Sequence, residues 1–445
     1  MRVAVLGGGL QGACVAMELA ARGVGVDLFD ARARCLTRAS AQNEGKIHLG
    51  YVYANDTTLS TALTMVRGGL SFAPLLRRWL GEVIDSVPVS RPFNYVVHAS
   101  SLLSADQVED HLHACHGLAL KELDGATADY FGSDPRVAPT RMDPRELGDL
   151  YHADAVSAVF RTSEIGIDPE ALARLVRERL DGDRAIRCRL STRVRGVERN
   201  GSGLDVEFEN GAGPRRERYD QVVNALWDGR LAVDRTVGLE PPRPWLWRVK
   251  HYVRLRAPGA NVPCSTIVLG AFGDVVVYGA QDLYLSWYPA GLRGVSTEIE
   301  PPGWPSASEG GFSKEVREQI LRGLAAIVPA VARLRADADC ASTKGGVIFA
   351  WGETDIDDPA SGLHERHAIG TRSSEGYHSI DTGKLSPAVR PGGGRQSPRD
   401  GMTGGEGGDA GSPGSPRERV RGRDAPVDPR ADPPRSAGDH LGGRA

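Results

Sequence analysis

Three glycines, Gly7, Gly9 and Gly12, stand in the order G-x-G-x-x-G, and an acid, Asp30, follows 18 residues after the last. The first glycine makes a tight turn, the second lets backbone approach a pyrophosphate, and the third permits close helix packing, while an acid about 20 residues on suits a ribose hydroxyl. An acid at Asp30 disfavours a 2′-phosphate, and so NADP, but leaves NAD and FAD open. A second polar cluster, "QNEGKIHLGY" at 42–51, offers an amide, an acid, a lysine and an imidazole. Asn43 and the amides around Gly45 can hydrogen-bond a polyhydroxy chain, Lys46 can offset phosphate charge, and His48 can accept a proton. The alternative for "NEGK" is a plain turn, and for His48 a structural histidine that hydrogen-bonds backbone.

The elements that must position these groups are legible. "RVAVL" is a short apolar strand running into the glycines, "LQGACVAMELAARG" carries apolar residues at helical spacing, and "VGVDLFD" is a second strand ending at Asp30. Strand, glycine turn, helix, strand is the start of a parallel doubly wound sheet. Residues 57–83 read as helix loosened by Gly68, Gly69 and Pro74; Ser104 with Gln107 forms a capping box, and Asp168-Pro169 opens another helix. Residues 186–230 and 247–289 are strand-rich. Taken with the family resemblance given below, the fold class is α/β: a discontinuous Rossmann-like dinucleotide-binding domain (1–90, 150–235, 340–388) with an α+β substrate domain on an antiparallel sheet (91–149, 236–339).

A net charge of −3 and 25% charged residues give no electrostatic reason for nucleic-acid binding, and no apolar run is long enough to span a bilayer. The six cysteines include no C-x-x-C pair, so reduced thiols in a cytoplasm fit best. His111, His113, Cys115 and His116 lack the i, i+4 spacing of a histidine ligand pair, and no metal site is expected.

After Asp30 a plain NAD unit would continue strand–helix–strand, whereas this chain runs through a polar, glycine-punctuated segment. The sequence resembles the FAD-dependent oxidoreductases that include D-amino-acid oxidase, glycine oxidase and L-2-hydroxyglutarate dehydrogenase. The carrying residues are Gly7, Gly9, Gly12 and Asp30, then Ser40 through Asn43, Gly45 and His48 to Gly50, "SEIGIDPEALARLV" at 163, "TRVRGVERNGSGLDVEFENG" before "YDQVVNALWDG", and "GYHSIDTGKL" at 376. The resemblance implies FAD as cofactor and a small amino acid, amine or 2-hydroxy acid as substrate, oxidised by hydride transfer to flavin N5; the electron acceptor, oxygen or a quinone-type carrier, stays open.

By the same resemblance, Ala39–Gly45 lies along the pyrophosphate and ribityl chain, Val194 contacts the adenine through its backbone, Ala225 ends a strand beneath the cofactor, and Gly376, Tyr377 and His378 approach the pyrimidine side of the ring. His48 matches a histidine beside the flavin, as proton acceptor, structural group or covalent attachment point. Substrate carboxylates in such enzymes are held by a guanidinium or a tyrosine; among Tyr252, Arg254, Tyr278 and Tyr288 the reading favours Arg254. Lys384 sits where a positive charge would stabilise the reduced ring near N1 and C2. Ser286 takes the place of an oxygen-activating lysine, which favours a dehydrogenase.

The last segment differs in kind, with 14 Gly and 8 Pro among residues 391–445. It cannot bury enough surface to offset its ordering entropy and reads as disordered. Relatives continue into a helix here, and the switch to Gly, Arg, Pro and Asp resembles an out-of-frame, frameshift-derived end. Two alternatives to the preferred function are a flavin-dependent monooxygenase and a non-catalytic relic lacking that helix.

Overall fold

The computed structural model describes residues 1–390 except 280, 306, 308–309 and 335–339, and the expected tail at 391–445 lies outside the described residues. Strand Val3–Leu6 lies between two parallel neighbours, Gln221–Asn224 and Val26–Phe29. A strand covered on both faces must be apolar throughout, which is why "VAVL" is buried along its length. The sheet order is Gly370–Ser374, Tyr377–Asp381, Gln221–Asn224, Val3–Leu6, Val26–Phe29, Ile186–Arg189, with only the first strand antiparallel to its neighbour. The one charge inside the central run, Asp27, is buried and held by Arg187 at 2.6 Å and the Tyr219 hydroxyl at 2.6 Å. Burial works upward on its pKa, but these hydrogen bonds and the Arg189 charge hold it down to about 2.

Arg193–Asn200, Gly203–Asn210 and Gly213–Tyr219 form a small antiparallel sheet whose first turn is the expected Asn-Gly, with Gly201 at φ +58°. The second large sheet has nine strands in the order Leu292–Ser296, Trp245–Arg256, Asp282–Trp287, Gly273–Tyr278, Ser265–Val268, Asn94–His98, Val156–Arg161, Thr140–Arg141, with Ala341–Trp351 also paired to Trp245–Arg256. It is mixed rather than purely antiparallel, because Ser265–Val268 runs parallel to Asn94–His98. Two boundaries expected from sequence shift with it. Val156–Arg161 and Ala341–Trp351, assigned to the dinucleotide-binding domain, hydrogen-bond into this second sheet.

Both expected caps are present: Ser104 and Gln107 close a capping box on Ala105–Leu123, and Asp168 caps Pro169–Asp181. The helix expected at 57–83 runs unbroken from Ser60 to Leu80 despite Pro74. Its glycines serve contact rather than looseness. A Cβ on Gly69 would lie 2.4 Å from the His48 carbonyl oxygen, so this bare position lets the helix press directly on the backbone that presents His48.

Candidate active site

The glycine turn forms at the carboxyl end of Val3–Leu6. Gly7 adopts φ +101°, and a Cβ there would meet the Ala225 carbonyl at 2.7 Å, while one on Gly12 would lie 1.9 Å from the Gly7 carbonyl. Helix Leu10–Ala21 begins at Gly9, which brings no side-chain cap; the Leu10 amide is answered by Ser40 Oγ at 2.8 Å. The Gln11 Nε2 in the same turn is buried without a partner among the described residues. A positive helix end with uncapped amides, a cradle that any Cβ would fill, and an orphaned donor fit a bound pyrophosphate. Asp30 stands beside Gly8, its pKa raised by burial, so donors such as ribose hydroxyls would stabilise its charge. The Thr192 amide donates to the Asp30 carbonyl at 2.9 Å, which brings Val194 to the same edge, and Ala225 donates its amide to Leu6 at 2.8 Å directly under the turn.

From Ser40 the chain turns inward. Asn43 donates to the Ala39 carbonyl at 2.8 Å and accepts from the Gly45 amide at 2.7 Å, so its side chain closes the loop it was expected to leave. Gly45, at φ +63°, has the Ile167 carbonyl where a Cβ would sit, at 1.8 Å. Lys46 does not face the phosphate cradle. It is buried, with Nζ 2.6 Å from Asp274 Oδ1 and 2.5 Å from Thr266 Oγ1, so Asp274 already offsets its charge.

Beyond Lys46 opens a cavity of about 180 Å³. Around it stand Asn43, Glu44, Lys46, His48 and Lys384, together with Arg248, Lys250, Tyr252 and Tyr284 from the second sheet, Tyr288 from the short helix Tyr288–Gly291, and Arg366. His48 is buried, its Nδ1 3.7 Å from Glu164 Oε1 and its Nε2 4.0 Å from Glu44 Oε1. Burial lowers its pKa, leaving the imidazole neutral and able to accept a proton at pH 7. Glu164 is fixed from behind by the Leu49 amide at 2.6 Å and the Tyr95 hydroxyl. Burial alone would raise Glu44, but Lys384, Lys250, Lys46 and His48 hold it down to about 2. Lys384 is driven the other way, to about 8, by burial and by its cationic neighbours Arg366, Lys250 and Lys46, against the pull of Glu44.

Two expectations are corrected. Arg254 is not among the residues around the cavity; its Nη2 lies 2.5 Å from Asp168 Oδ2, with the guanidinium over the Tyr278 ring. It braces the N-cap of helix Pro169–Asp181. Breaking a buried pair strands the remaining charge, so Arg254→Met should destabilise the protein by roughly 3–5 kcal/mol in a denaturant titration. A rise in KM without that loss would contradict this assignment. Gly376, Tyr377 and His378 sit at the amino end of their strand: Tyr377 pairs with Val222 and Ser379 with Asn224, which itself faces Leu6. Their backbone therefore lies toward the edge opposite the glycine turn, where His378 bonds Gln221, while the Tyr377 hydroxyl donates to Asp234 and accepts from Asn224. From that segment only Lys384 is among the residues around the cavity.

Sequence reasoning missed Glu44, Arg248, Lys250 and Arg366. Ser286 is buried and accepts from the Asp274 amide, and two lysines elsewhere in sequence, Lys250 and Lys384, line the cavity. His111, on the helix read as metal-free, bonds the Gly50 carbonyl at 3.1 Å and Cys115. No described helix is long and apolar enough to cross a membrane.

A family model, DAO, described as FAD dependent oxidoreductase, matches residues 2–362. No curated protein matches the chain. Among solved structures, glycine oxidase from Geobacillus kaustophilus superposes with TM-score 0.62 at 16% identity, over 87% of this chain and 92% of that one. L-proline dehydrogenase from P.horikoshii gives 0.57 at 17% identity, over 87% and 90%. L-alpha-glycerophosphate oxidase from Mycoplasma pneumoniae, determined with FAD bound, gives 0.57 at 12%, over 87% and 91%. At these identities the likeness is one of fold.

Proposed function

The chain belongs to the DAO family of FAD-dependent oxidoreductases, and we propose that it oxidises a small amino acid, amine or 2-hydroxy acid by hydride transfer to flavin N5. The observation that carries the reading is the cavity between the chain's own cofactor-side segment and the second sheet, lined by more cations than carboxylates around a neutral histidine. When bound, FAD supplies the hydride acceptor. Gly7, Gly9, Gly12 and Ser40 would hold its pyrophosphate, Asp30 a ribose, and the backbone near Val194 and Ala225 the adenine side.

The rest falls to side chains in the cavity. Lys250, from the sheet wall, attracts the substrate carboxylate and fixes which carbon faces the cofactor. His48 takes the hydroxyl or amine proton on Nε2, and Glu164 on the far side of the ring favours the imidazolium so formed. Lys384, just past the strand end, would offer positive charge to the reduced flavin when it is bound. Tyr53, edge-on to His48 at 5.7 Å, helps keep water from it.

The test is product analysis with an artificial electron acceptor. Amino acids should give a 2-oxo acid and ammonia, hydroxy acids the 2-oxo acid alone. A flavin-loaded enzyme that forms no carbonyl product from any small amino acid, amine or hydroxy acid would refute the proposal.

A further inference from the structure

Arg366 is an uncommon buried group. It is 6% exposed, and its Nε and Nη1 donate to the Leu363 and Phe349 carbonyls, both at 2.9 Å, leaving Nη2 without a partner among the described residues. No described carboxylate is in ion-pair contact with it, though Asp381 acts on it from farther off. A second guanidinium, Arg248, is 2% exposed and close enough to oppose it. Burial and Arg248 together lower Arg366 to about 10. Among the described residues Arg248 has one acid, Asp355 at 2.6 Å, and donates also to the Tyr288 hydroxyl, while its Nε is buried without a partner. Asp355 thus pairs with Arg248, while Arg366 has only the more distant Asp381 to offset its charge among the described residues. Isolated buried charge of this kind is strongly disfavoured unless something offsets it.

The same strand carries the third cation. Lys250 lies two residues from Arg248 on the same face, roughly 7 Å along the strand, and its nearest acid, Asp274, is 3.9 Å away and already bound by Lys46. Lys250, whose nearest acid is shared with Lys46, and the Arg248–Arg366 pair, with Asp355 as its one close carboxylate among the described residues, match the two ends of a four- or five-carbon dianion.

The geometry points to a substrate with two anionic groups: a carboxylate at Lys250 beside the reacting carbon, and a second group, carboxylate or phosphate, in a subsite made by Arg248, Arg366 and Tyr288. This inference rests on the oxidoreductase reading of the same cavity. The second group anchors the far end, so chain length between the two decides which carbon meets the cofactor. Monoanions reach only one centre and bind weakly.

The holoenzyme is titrated calorimetrically with unreactive probes: succinate and glutarate, their monocarboxylate counterparts butyrate and valerate, and 3-phosphonopropionate as the phosphorus arm. The dicarboxylates should bind about ten-fold or more tightly than the monocarboxylates, an effect of the size expected for hydrogen bonds to a charged partner. Tighter binding of 3-phosphonopropionate than of succinate assigns the second group as phosphate, and the reverse as carboxylate. Arg366→Met should erase the difference between the two series, and Arg366→Lys, which keeps the charge, should restore part of it. Equal affinities in the wild type, or a difference that survives Arg366→Met, overturns the subsite. Oxidation of monocarboxylic amino or hydroxy acids as fast as dianionic ones would sink the subsite and leave the proposed function standing. Selective dianion binding with no oxidisable amino or hydroxy acid would do the opposite.

Discussion

A Gly12→Val protein is expected to purify colourless. Any Cβ at this position would sit 1.9 Å from the Gly7 carbonyl oxygen, a backbone atom that cannot step aside without unmaking the turn. The turn is also pinned from below, because a Cβ on Gly7 would strike Ala225 at 2.7 Å. Strain here is therefore relieved only by lifting helix Leu10–Ala21 off the strand, which withdraws the uncapped first-turn amides from the phosphates they would bind. Overpacking of this kind costs about 1–3 kcal/mol or more, enough for near-complete loss of flavin during purification. Gly25→Ala is the matched control, since a Cβ there meets nothing within 4 Å. Flavin absorbance per protein should fall in the first variant and hold in the second. Equal flavin content in both would show that the glycine turn does not hold the cofactor.

Replacing His48 by Asn is the second substitution with a large expected effect. A positioned general base typically contributes 10²–10⁴-fold, so kcat/KM should fall by about that factor while flavin content is retained. The pH dependence separates base from scaffold. Burial lowers the His48 pKa below its ordinary 6.5, so the ring is neutral and competent at pH 7 and is lost as an acceptor only as pH falls through its depressed value. Wild-type kcat/KM should thus carry an acid limb below pH 6.5 that His48→Asn lacks. A variant that keeps the limb and loses melting temperature instead would mark His48 as structural. The backbone contact to Ser386 Oγ at 2.9 Å is unaffected by the change, which keeps the comparison clean.

Much of this site was legible before any coordinates, and the misses have physical causes. The glycine turn, Asp30 and the two helix caps depend on local sequence, and local sequence carries them. Arg254 was a different kind of error. Strand alternation puts Arg248, Lys250, Tyr252 and Arg254 on one face, but alternation alone does not say which face meets the site. Periodicity says nothing about distance along the strand, and Arg254 lies roughly 20 Å along it from Arg248, where it meets Asp168 rather than the cavity. The segment "GYHSIDTGKL" failed in the same way. Ligands in doubly wound sheets gather at the carboxyl ends of strands, and only the parallel pairing with Gln221–Asn224 shows that Lys384, not Gly376, is at that end. Arg366 gave no local signal, since neither a strand nor a long helix carries it. Lys46 and Asn43 were drawn inward by partners, Asp274 and the Ala39 carbonyl, that sequence spacing could not reveal.

The most direct measurement is anaerobic mixing of the purified flavoprotein with a panel of amino acids, amines and 2-hydroxy acids, following the flavin absorbance. At least one compound should bleach the oxidised band in a single saturable phase, with dianionic members of the panel the fastest. A protein that binds FAD and is bleached by dithionite but by no member of the panel would contradict the account.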